Sequence, residues 1–173
     1  MTERAICRLP VDTGPSGWLA LSTQQMPVRA LDRDRSADWL IVGAGFAGLS
    51  AARRLAQLRP GETIVVLDAR EVAQGPAGRN SGFMIDLPHE LTSDDYAGHG
   101  DDRGMIALNR QAIAFAKGAV QDYAIKPDYF DPVGKVNGAV SAAAEAHNET
   151  YARHLAALGE KSDMLDARQM HEM

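Results

Sequence analysis

This 173-residue chain contains one cysteine and no long apolar run. Its one cysteine, Cys7, excludes a disulfide framework within the chain and a metal site built from several cysteines. Because no run of about 18 apolar residues occurs, we expect no membrane span. The N-terminus also lacks a continuous apolar stretch, so we expect no secretory signal peptide and a cytoplasmic protein.

Strong charge of one sign is also missing. The net charge of -5 argues against nucleic acid as the main partner. With 45% hydrophobic and 24% charged residues, the chain is too apolar for a disordered protein. The composition therefore predicts one globular domain or a piece of a larger one.

Residues 1–36 carry no sustained periodicity and are interrupted by proline and glycine. This pattern predicts an irregular N-terminal arm, which Trp18 and Leu19 would attach to a larger body. The alternative is a partly ordered tail.

A β-α-β unit is predicted to follow the arm. Residues 39–42 and 63–67 are short, β-rich apolar runs without alternation, which is typical of parallel strands covered on both faces. Residues 47–59 have helical spacing, and Pro60 and Gly61 end that helix. The fold class is therefore α/β, with a Rossmann-like β-α-β unit and additional helices.

The remaining chain predicts mainly helices. We expect a loop over residues 69–104, a helix over 105–123, a strand or strand pair over 133–140, a helix over 142–158, and the start of another helix near the C-terminus. The side chains expected on the buried side of the two long helices are Leu108, Ala112, Phe115, Ala119, Tyr123, Tyr151, Leu155 and Leu158. Core packing is also the expectation for Tyr123, Tyr129 and Phe130, with the wall of a substrate cavity as the alternative.

The most informative motif is a Gly-x-Gly-x-x-Gly string at the end of the first predicted strand. Gly43 permits a tight turn, Gly45 lets the backbone approach a pyrophosphate, and Gly48 lets the helix pack against the sheet. Asp68 ends the second strand, at the spacing expected of a residue that binds a ribose. The motif does not separate FAD from NAD, and a glycine-rich turn without a ligand is the alternative.

A second glycine-rich loop, Gly78-Arg79-Asn80-Ser81-Gly82, follows shortly afterwards. Its glycines allow close backbone approach, and Arg79 offers a charged fork of donors to phosphate. The alternative interpretation is an ordinary surface loop.

Together the strings DWLIVGAGFAGLSAARRLA, TIVVLDAR and GPAGRNSGF resemble the DAO-type FAD-dependent oxidoreductases, which include D-amino-acid oxidase, glycine oxidase and sarcosine oxidase. The second loop is most similar to the gamma-glutamylputrescine oxidase-like branch, where Gly-Arg-Asn-Gly-Gly is usual and Ser81 is a small polar departure. The resemblance covers residues 38–83 with specific motifs, and only a pattern of elements beyond residue 103.

The resemblance implies FAD as cofactor, and oxidation of a carbon–nitrogen bond in a small amine or amino acid by hydride transfer to the flavin. The residues that it implies for cofactor binding are Gly43, Gly45, Phe46, Ala47, Gly48, Asp68, Ala69, Arg70, Gly78, Arg79, Asn80, Ser81 and Gly82. An essential acid–base pair need not exist in such enzymes, so the catalytic residues are left unknown, and we expect no metal site. A nicotinamide-binding dehydrogenase domain and a non-catalytic nucleotide-binding remnant stay open as alternatives.

Members of this family are typically about twice as long as this chain. We therefore expect an arm over residues 1–36, and over 37–173 the N-terminal part of a FAD-binding domain with the beginning of a substrate domain. We also expect a missing C-terminal half as partner, so that the chain alone binds FAD weakly, if at all, and turns nothing over.

Overall fold

The computed structural model describes residue 11 and residues 14–22, 27–87 and 101–172. It divides into two compact units, Met1–Phe83 and Met84–Met173. Cys7 and residues 88–100 of the predicted loop lie outside the described residues.

The predicted β-α-β unit is present in the first compact unit. Strand β1 (Trp39–Val42), helix α2 (Phe46–Leu58) and strand β2 (Ile64–Leu67) follow one another along the chain. The strands pair in parallel, with Trp39 opposite Ile64 and Val42 opposite Leu67. Both strands and the helix lie within one residue of their predicted bounds.

Backbone hydrogen bonds fix both ends of this two-stranded sheet. At the start, the Thr63 amide donates to Asp38 Oδ2 at 2.7 Å and the Asp38 amide donates to the Thr63 carbonyl at 3.1 Å. At the other end, the Gly43 amide donates to the Leu67 carbonyl at 2.7 Å. The register is therefore held on both sides of the four paired residues.

The expectation that both faces of the sheet are covered is wrong for β1 within the described residues, whereas all four residues of β2 are half-buried. Ile41 faces α2, because its Cγ2 lies 3.3 Å from the position that a Cβ on Gly48 would take. Side chains alternate along a strand, so the neighbours of Ile41 point away from that helix. Leu40 and Val42 are accordingly 61% and 82% exposed.

The arm contains a short helix that the sequence did not predict. Helix α1 (Gly17–Leu21) is capped by Ser16, whose Oγ accepts from the Leu19 amide at 3.2 Å. Ser16 is only 1% exposed, and its hydroxyl is satisfied by this capping bond.

The second unit contains α3 (Asp102–Asp122), a 3-10 turn (Pro127–Tyr129), α4 (Ala142–Leu158) and α5 (Ala167–His171). Helix α3 begins three residues before its predicted start. Asp101 is its N-cap, and its carboxylate accepts from the Gly104 amide at 2.9 Å.

Helix α4 has the predicted bounds and buried side. Ser141 caps its start, and Gly159 ends it in the left-handed region at φ +87°. Tyr151 and Leu155 are buried as predicted, and Leu87 packs against them.

The predicted buried side of α3 is wrong at both ends. Leu108 is 59% exposed and Tyr123 63%, whereas Ile106 is buried. Ala112 of the predicted side is exposed too, whereas Phe115 and Ala119 are half-buried. Asn109 and Arg110 form hydrogen bonds with Asp86 in the same unit. The predicted core packing of Tyr129 is also wrong, since this side chain is 71% exposed.

Residues 133–140 form no strand, contrary to the prediction. Side chains hold this segment to α4 instead. The Asn148 Nδ2 donates to the Asn137 carbonyl at 3.1 Å, and the Lys135 ammonium lies 4.8 Å from the centroid of the Tyr151 ring. Burial lowers the pKa of Lys135, while the negative charge of Asp86 acts in the opposite direction.

An ion-pair network connects α3 to the segment after α4. The Arg110 guanidinium donates to both carboxylate oxygens of Glu160, at 3.0 and 2.7 Å, and to Asp86 Oδ2 at 2.8 Å. These bonds raise the pKa of Arg110, with Glu160 the larger cause. His154 and Asp102 form a second pair at 3.0 Å between α4 and α3.

Candidate nucleotide-binding site

Gly43 makes the turn that leads out of β1. Its φ is +102°, a backbone conformation that side chains with a Cβ rarely adopt. Its amide remains paired with the Leu67 carbonyl, so the turn begins at the last hydrogen bond of the sheet. The predicted role of this glycine therefore agrees with its geometry.

Gly48 allows the first turn of α2 to pack directly on that peptide. A Cβ on Gly48 would lie 1.9 Å from the Gly43 carbonyl oxygen and 3.0 Å from the Gly43 carbonyl carbon. Both are backbone atoms that no rotamer change can move away. The third glycine of the motif is thus a requirement of helix packing, as the spacing predicted.

Gly45 lies at the N-cap of α2 and leaves the backbone accessible. It has no side chain to cap the helix, and a Cβ there would meet only the Ala77 Cβ, at 3.9 Å. The first-turn amides of Phe46, Ala47 and Gly48 therefore receive no acceptor from a cap side chain. Such amides, with the positive end of the helix dipole, favour an anion.

Asp68 joins this turn from the end of β2. Its Oδ2 accepts from the Ala44 amide at 2.8 Å and its Oδ1 accepts from the Arg70 amide at 2.9 Å. These backbone bonds, that from Ala44 first, lower the pKa of the Asp68 carboxyl, and a further bond from the Ala69 amide acts the same way. The exposed carboxylate keeps further lone pairs for a ligand hydroxyl.

The second glycine-rich loop begins beside the turn. Ala77 precedes this loop by one residue, and its Cβ lies 3.9 Å from the position that a Cβ on Gly45 would take. Gly78 is buried, and a Cβ on it would lie 2.0 Å from the Ala73 carbonyl oxygen. Ala73 itself has a positive φ of 61°. Gly78 therefore serves the close packing of its own loop.

Arg79 and Asn80 use their side chains to hold the shape of this loop. The Arg79 guanidinium donates to the Gln74 carbonyl at 2.9 Å and to the Gly14 carbonyl at 2.6 Å. The Asn80 side chain donates to the Ala77 carbonyl and accepts from the Gly82 amide at 2.7 Å. Binding of phosphate or flavin by Arg79, Asn80, Ser81 or Gly82 stays a prediction.

The structure thus brings together the residues of the first glycine motif, Asp68 and one side of the second loop. Sequence reasoning assigned no site role to Trp18 or Gly14, which contact that loop through hydrogen bonds to Asn80 and Arg79. The one sequence feature that pointed to such a contact was the tryptophan at position 18, in an arm without sustained periodicity. Such contacts join residues more than 60 positions apart, and local patterns do not reveal them.

Metal sites and membrane spans are both absent from residues 14–22, 27–87 and 101–172. No group of three or more histidine, cysteine, aspartate or glutamate side chains there could hold a metal ion. In the same ranges, no helix is both long and apolar enough to cross a membrane.

Comparison with known proteins gives the family. The sequence model described as FAD dependent oxidoreductase, DAO, matches residues 38–173. The match begins one residue before β1 and includes the whole β-α-β unit and the second compact unit. The chain therefore belongs to the DAO family of FAD-dependent oxidoreductases.

The curated relatives are distant and much longer. The chain is 34% identical to a gamma-glutamylputrescine oxidoreductase of Escherichia coli over 70 residues, which are 40% of this chain and 16% of the relative. It is 30% identical to the probable oxidoreductase OrdL of Haemophilus influenzae over 95 residues, 54% of this chain and 22% of the relative.

A third relative is a putative Rieske 2Fe-2S iron-sulfur protein, YhfW, of Bacillus subtilis. It is 24% identical over 120 residues, 68% of this chain and 23% of the relative. The chain thus spans less than a quarter of the length of these relatives. No solved structure gives a significant match.

Proposed function

We propose that the turn from Gly43 to Gly48 binds the pyrophosphate of FAD and that Asp68 binds the adenosine ribose. The observation that carries this proposal is the hydrogen bond of 2.8 Å from the Ala44 amide to the Asp68 carboxylate. This bond places the ionised carboxylate of Asp68 beside the start of α2, where no cap side chain accepts from the first-turn amides. A carboxylate accepts hydrogen bonds from a ribose hydroxyl, and the amides at a helix N-terminus bind a phosphate.

The geometry of the turn fits a diphosphate. Among the residues that the structure describes, a Cβ at Gly45 would have one neighbour, at ordinary contact distance, so their side chains do not fill the space over that peptide. None of the described atoms lies within 4 Å of the Cβ position at Gly43. Asp68 would repel a 2′-phosphate, which favours a ribose with free hydroxyls.

We further propose that the protein oxidises a carbon–nitrogen bond of an amine or amino acid. When bound, the flavin supplies the hydride acceptor for this chemistry. The residues of the turn and Asp68 hold the adenosine and pyrophosphate end of the cofactor. Support for the substrate class comes from the GRNSG loop and from the relative named gamma-glutamylputrescine oxidoreductase.

This segment contributes cofactor binding, and the substrate chemistry belongs to the longer architecture of the relatives. We therefore expect the 173-residue chain to bind FAD weakly and to show no amine oxidation by itself. An assay of hydrogen peroxide or dye reduction with amines and amino acids measures the second expectation.

FAD titration of the full chain tests the proposed site. Flavin fluorescence should change on binding, ADP should compete, and FMN, which lacks the adenosine monophosphate half and therefore has neither the adenosine nor a pyrophosphate, should not bind. Gly45→Ala should raise the Kd for FAD about 10-fold, because the added methyl group separates the phosphate from the peptide amides. Gly138→Ala is the matched control, since its Cβ has no atom within 4 Å.

An equal affinity for FAD in the Gly45→Ala and Gly138→Ala variants would contradict the placement of the pyrophosphate. Tight binding of NADH without binding of FAD would instead favour a nicotinamide-dependent domain. Circular dichroism of each variant confirms that the comparison is made between folded chains.

A further inference from the structure

We propose that the N-terminal segment 14–22 contributes to the proposed cofactor site by holding the loop 78–82 in place, and that Trp18 is the positioning residue for this loop. This inference rests on the proposed function, because it concerns how that loop is presented to FAD. It gives the segment before β1 a role in binding that the glycine motif alone does not require.

Trp18 holds the loop by a hydrogen bond and by contact of its ring. Its Nε1 donates to the Asn80 carbonyl at 2.8 Å. A Cβ on Gly82 would lie 3.0 Å from the Trp18 Cζ2 and 3.4 Å from its Cη2. The indole ring therefore lies directly on the Gly82 backbone, which has a φ of +83°.

A second contact reaches the loop from the same segment. The Arg79 guanidinium donates to the Gly14 carbonyl at 2.6 Å while it also holds the Gln74 carbonyl. Two loop residues are thus tied to two arm residues, on either side of Ser16. The burial of Ser16, at 1% exposure, shows that this part of the arm is packed.

The loop in turn lies against the proposed pyrophosphate site. Ala77 is next to Gly78 in the chain, and its Cβ is the nearest atom to the Gly45 Cβ position. Asn80 receives the Trp18 bond on its carbonyl and holds Ala77 through its side chain. Hydrogen bonds therefore connect Trp18 through Asn80 to Ala77, and the Ala77 Cβ lies 3.9 Å from the position that a Cβ on Gly45 would take.

The consequence is that Trp18 acts on FAD affinity through the loop. Without the indole, the backbone of Gly82 and the carbonyl of Asn80 lose their partners in the arm. The loop then samples other conformations, and the binding-competent fraction falls.

The experiment compares Trp18→Ala and Trp18→Phe with the parent chain. Trp18→Ala removes both the ring and the donor, whereas Trp18→Phe keeps an aromatic ring without the N–H. Trp39→Phe is the matched control, because the Trp39 indole donates to Glu62 at the other end of β1. Hydrogen exchange of residues 74–82 and the Kd for FAD are measured for all four chains.

Trp18→Ala should speed exchange in residues 74–82 and raise the Kd for FAD about 10-fold, with Trp18→Phe between it and the parent. The visible circular dichroism of bound flavin should change in Trp18→Ala and recover in part in Trp18→Phe. Trp39→Phe should leave loop exchange, Kd and flavin spectrum unchanged.

Unchanged loop exchange in Trp18→Ala would overturn the inference, whatever happens to FAD. Faster exchange with unchanged affinity and flavin spectrum would overturn the positioning role. If the parent chain binds no FAD, the proposed function fails, and the exchange data alone still decide whether the arm holds the loop.

Discussion

The two compact units differ in the kind of contact that stabilises each of them internally. Among the residues that the structure describes, the three buried hydrophobic side chains, Ile106, Tyr151 and Leu155, all lie in Met84–Met173. The first unit instead relies on strand pairing, on carboxylates that accept from backbone amides, and on glycines that let peptides touch.

This difference predicts which substitutions destabilise each unit most. In the first unit the critical atoms belong to the main chain, so that adding a single methyl group at a glycine is the most damaging substitution. In the second unit the critical atoms belong to side chains, so that truncation is the most damaging change. A unit stabilised by main-chain contacts also suits the proposed cofactor, which would be bound through its phosphates and sugar.

Gly48→Ala should have the largest effect on stability. The new Cβ would lie 1.9 Å from the Gly43 carbonyl oxygen, and helix and turn would have to separate. We expect a loss of about 3 kcal/mol or more in the free energy of unfolding of the first unit. Chemical denaturation followed by tryptophan fluorescence measures it, because both tryptophans, Trp18 and Trp39, lie in the first unit.

The control for that prediction is Gly45→Ala, where the nearest atom to the new Cβ is 3.9 Å away. Its stability should stay within about 0.5 kcal/mol of the parent. Equal losses in the two alanine variants would mean that close packing of α2 on the turn is not what holds the first unit.

Leu155→Ala should have the next largest effect, and in the second unit. Leu155 is 3% exposed and packs with Tyr151, so its truncation removes burial and leaves a cavity. We expect a loss of about 2–3 kcal/mol, at the low end for buried leucine because few groups surround it. Hydrogen exchange of α4 should accelerate while that of α2 stays unchanged.

Leu165→Ala provides the comparison for this experiment, since Leu165 is 39% exposed in the same unit. A loss as large as that of Leu155→Ala would show that burial does not distinguish these positions. Faster exchange in α2 would show that the two units do not unfold separately.

The smallest effect is the pH dependence that Asp68 gives to the first unit. The amides of Ala44 and Arg70 lower its pKa from the usual value near 3.8, so the folded chain favours the ionised form. The stabilisation is therefore complete above about pH 5 and is lost as the pH falls through the folded-state pKa. Thermal unfolding of parent and Asp68→Asn chains between about pH 3 and 7 measures it.

The Asp68→Asn chain should be less stable at neutral pH, and the difference between the two chains should shrink in acid. A difference that is constant over this range would indicate that ionisation of Asp68 contributes nothing to folding. Asp163→Asn is the control, because Asp163 lies in the second unit.

The first unit was the more predictable from sequence because its signals are local. Apolar runs, helical spacing and Pro60 mark β1, α2 and β2, and each feature lies within or beside the element that it defines. The start of α3 was missed although Asp101 is a good cap, because the glycines around it suggested a continuous loop. Residues 133–140 resembled a strand, but a strand needs a partner and Gly134 turns the chain at φ +90°.

The backbone geometry of the proposed site was predictable to the same extent and for the same reason, whereas ligand binding there stays a prediction. The roles of Gly43 and Gly48 follow from spacing and agree with the geometry. The use of Arg79 within the chain was not predictable, because its acceptor Gly14 lies 65 positions away. A free arginine and one held by distant carbonyls have the same local sequence.

The bond between Asp68 and Ala44 also checks the alignment of the strands. Each of these two residues follows directly, or nearly so, on the last paired residue of its own strand. A slip of one position would displace the carboxylate by about 3.3 Å and turn it to the opposite face of the sheet. A misaligned chain would thereby lose the carboxylate that we propose as the ribose acceptor, so that only correctly paired strands would present the whole of the proposed nucleotide site.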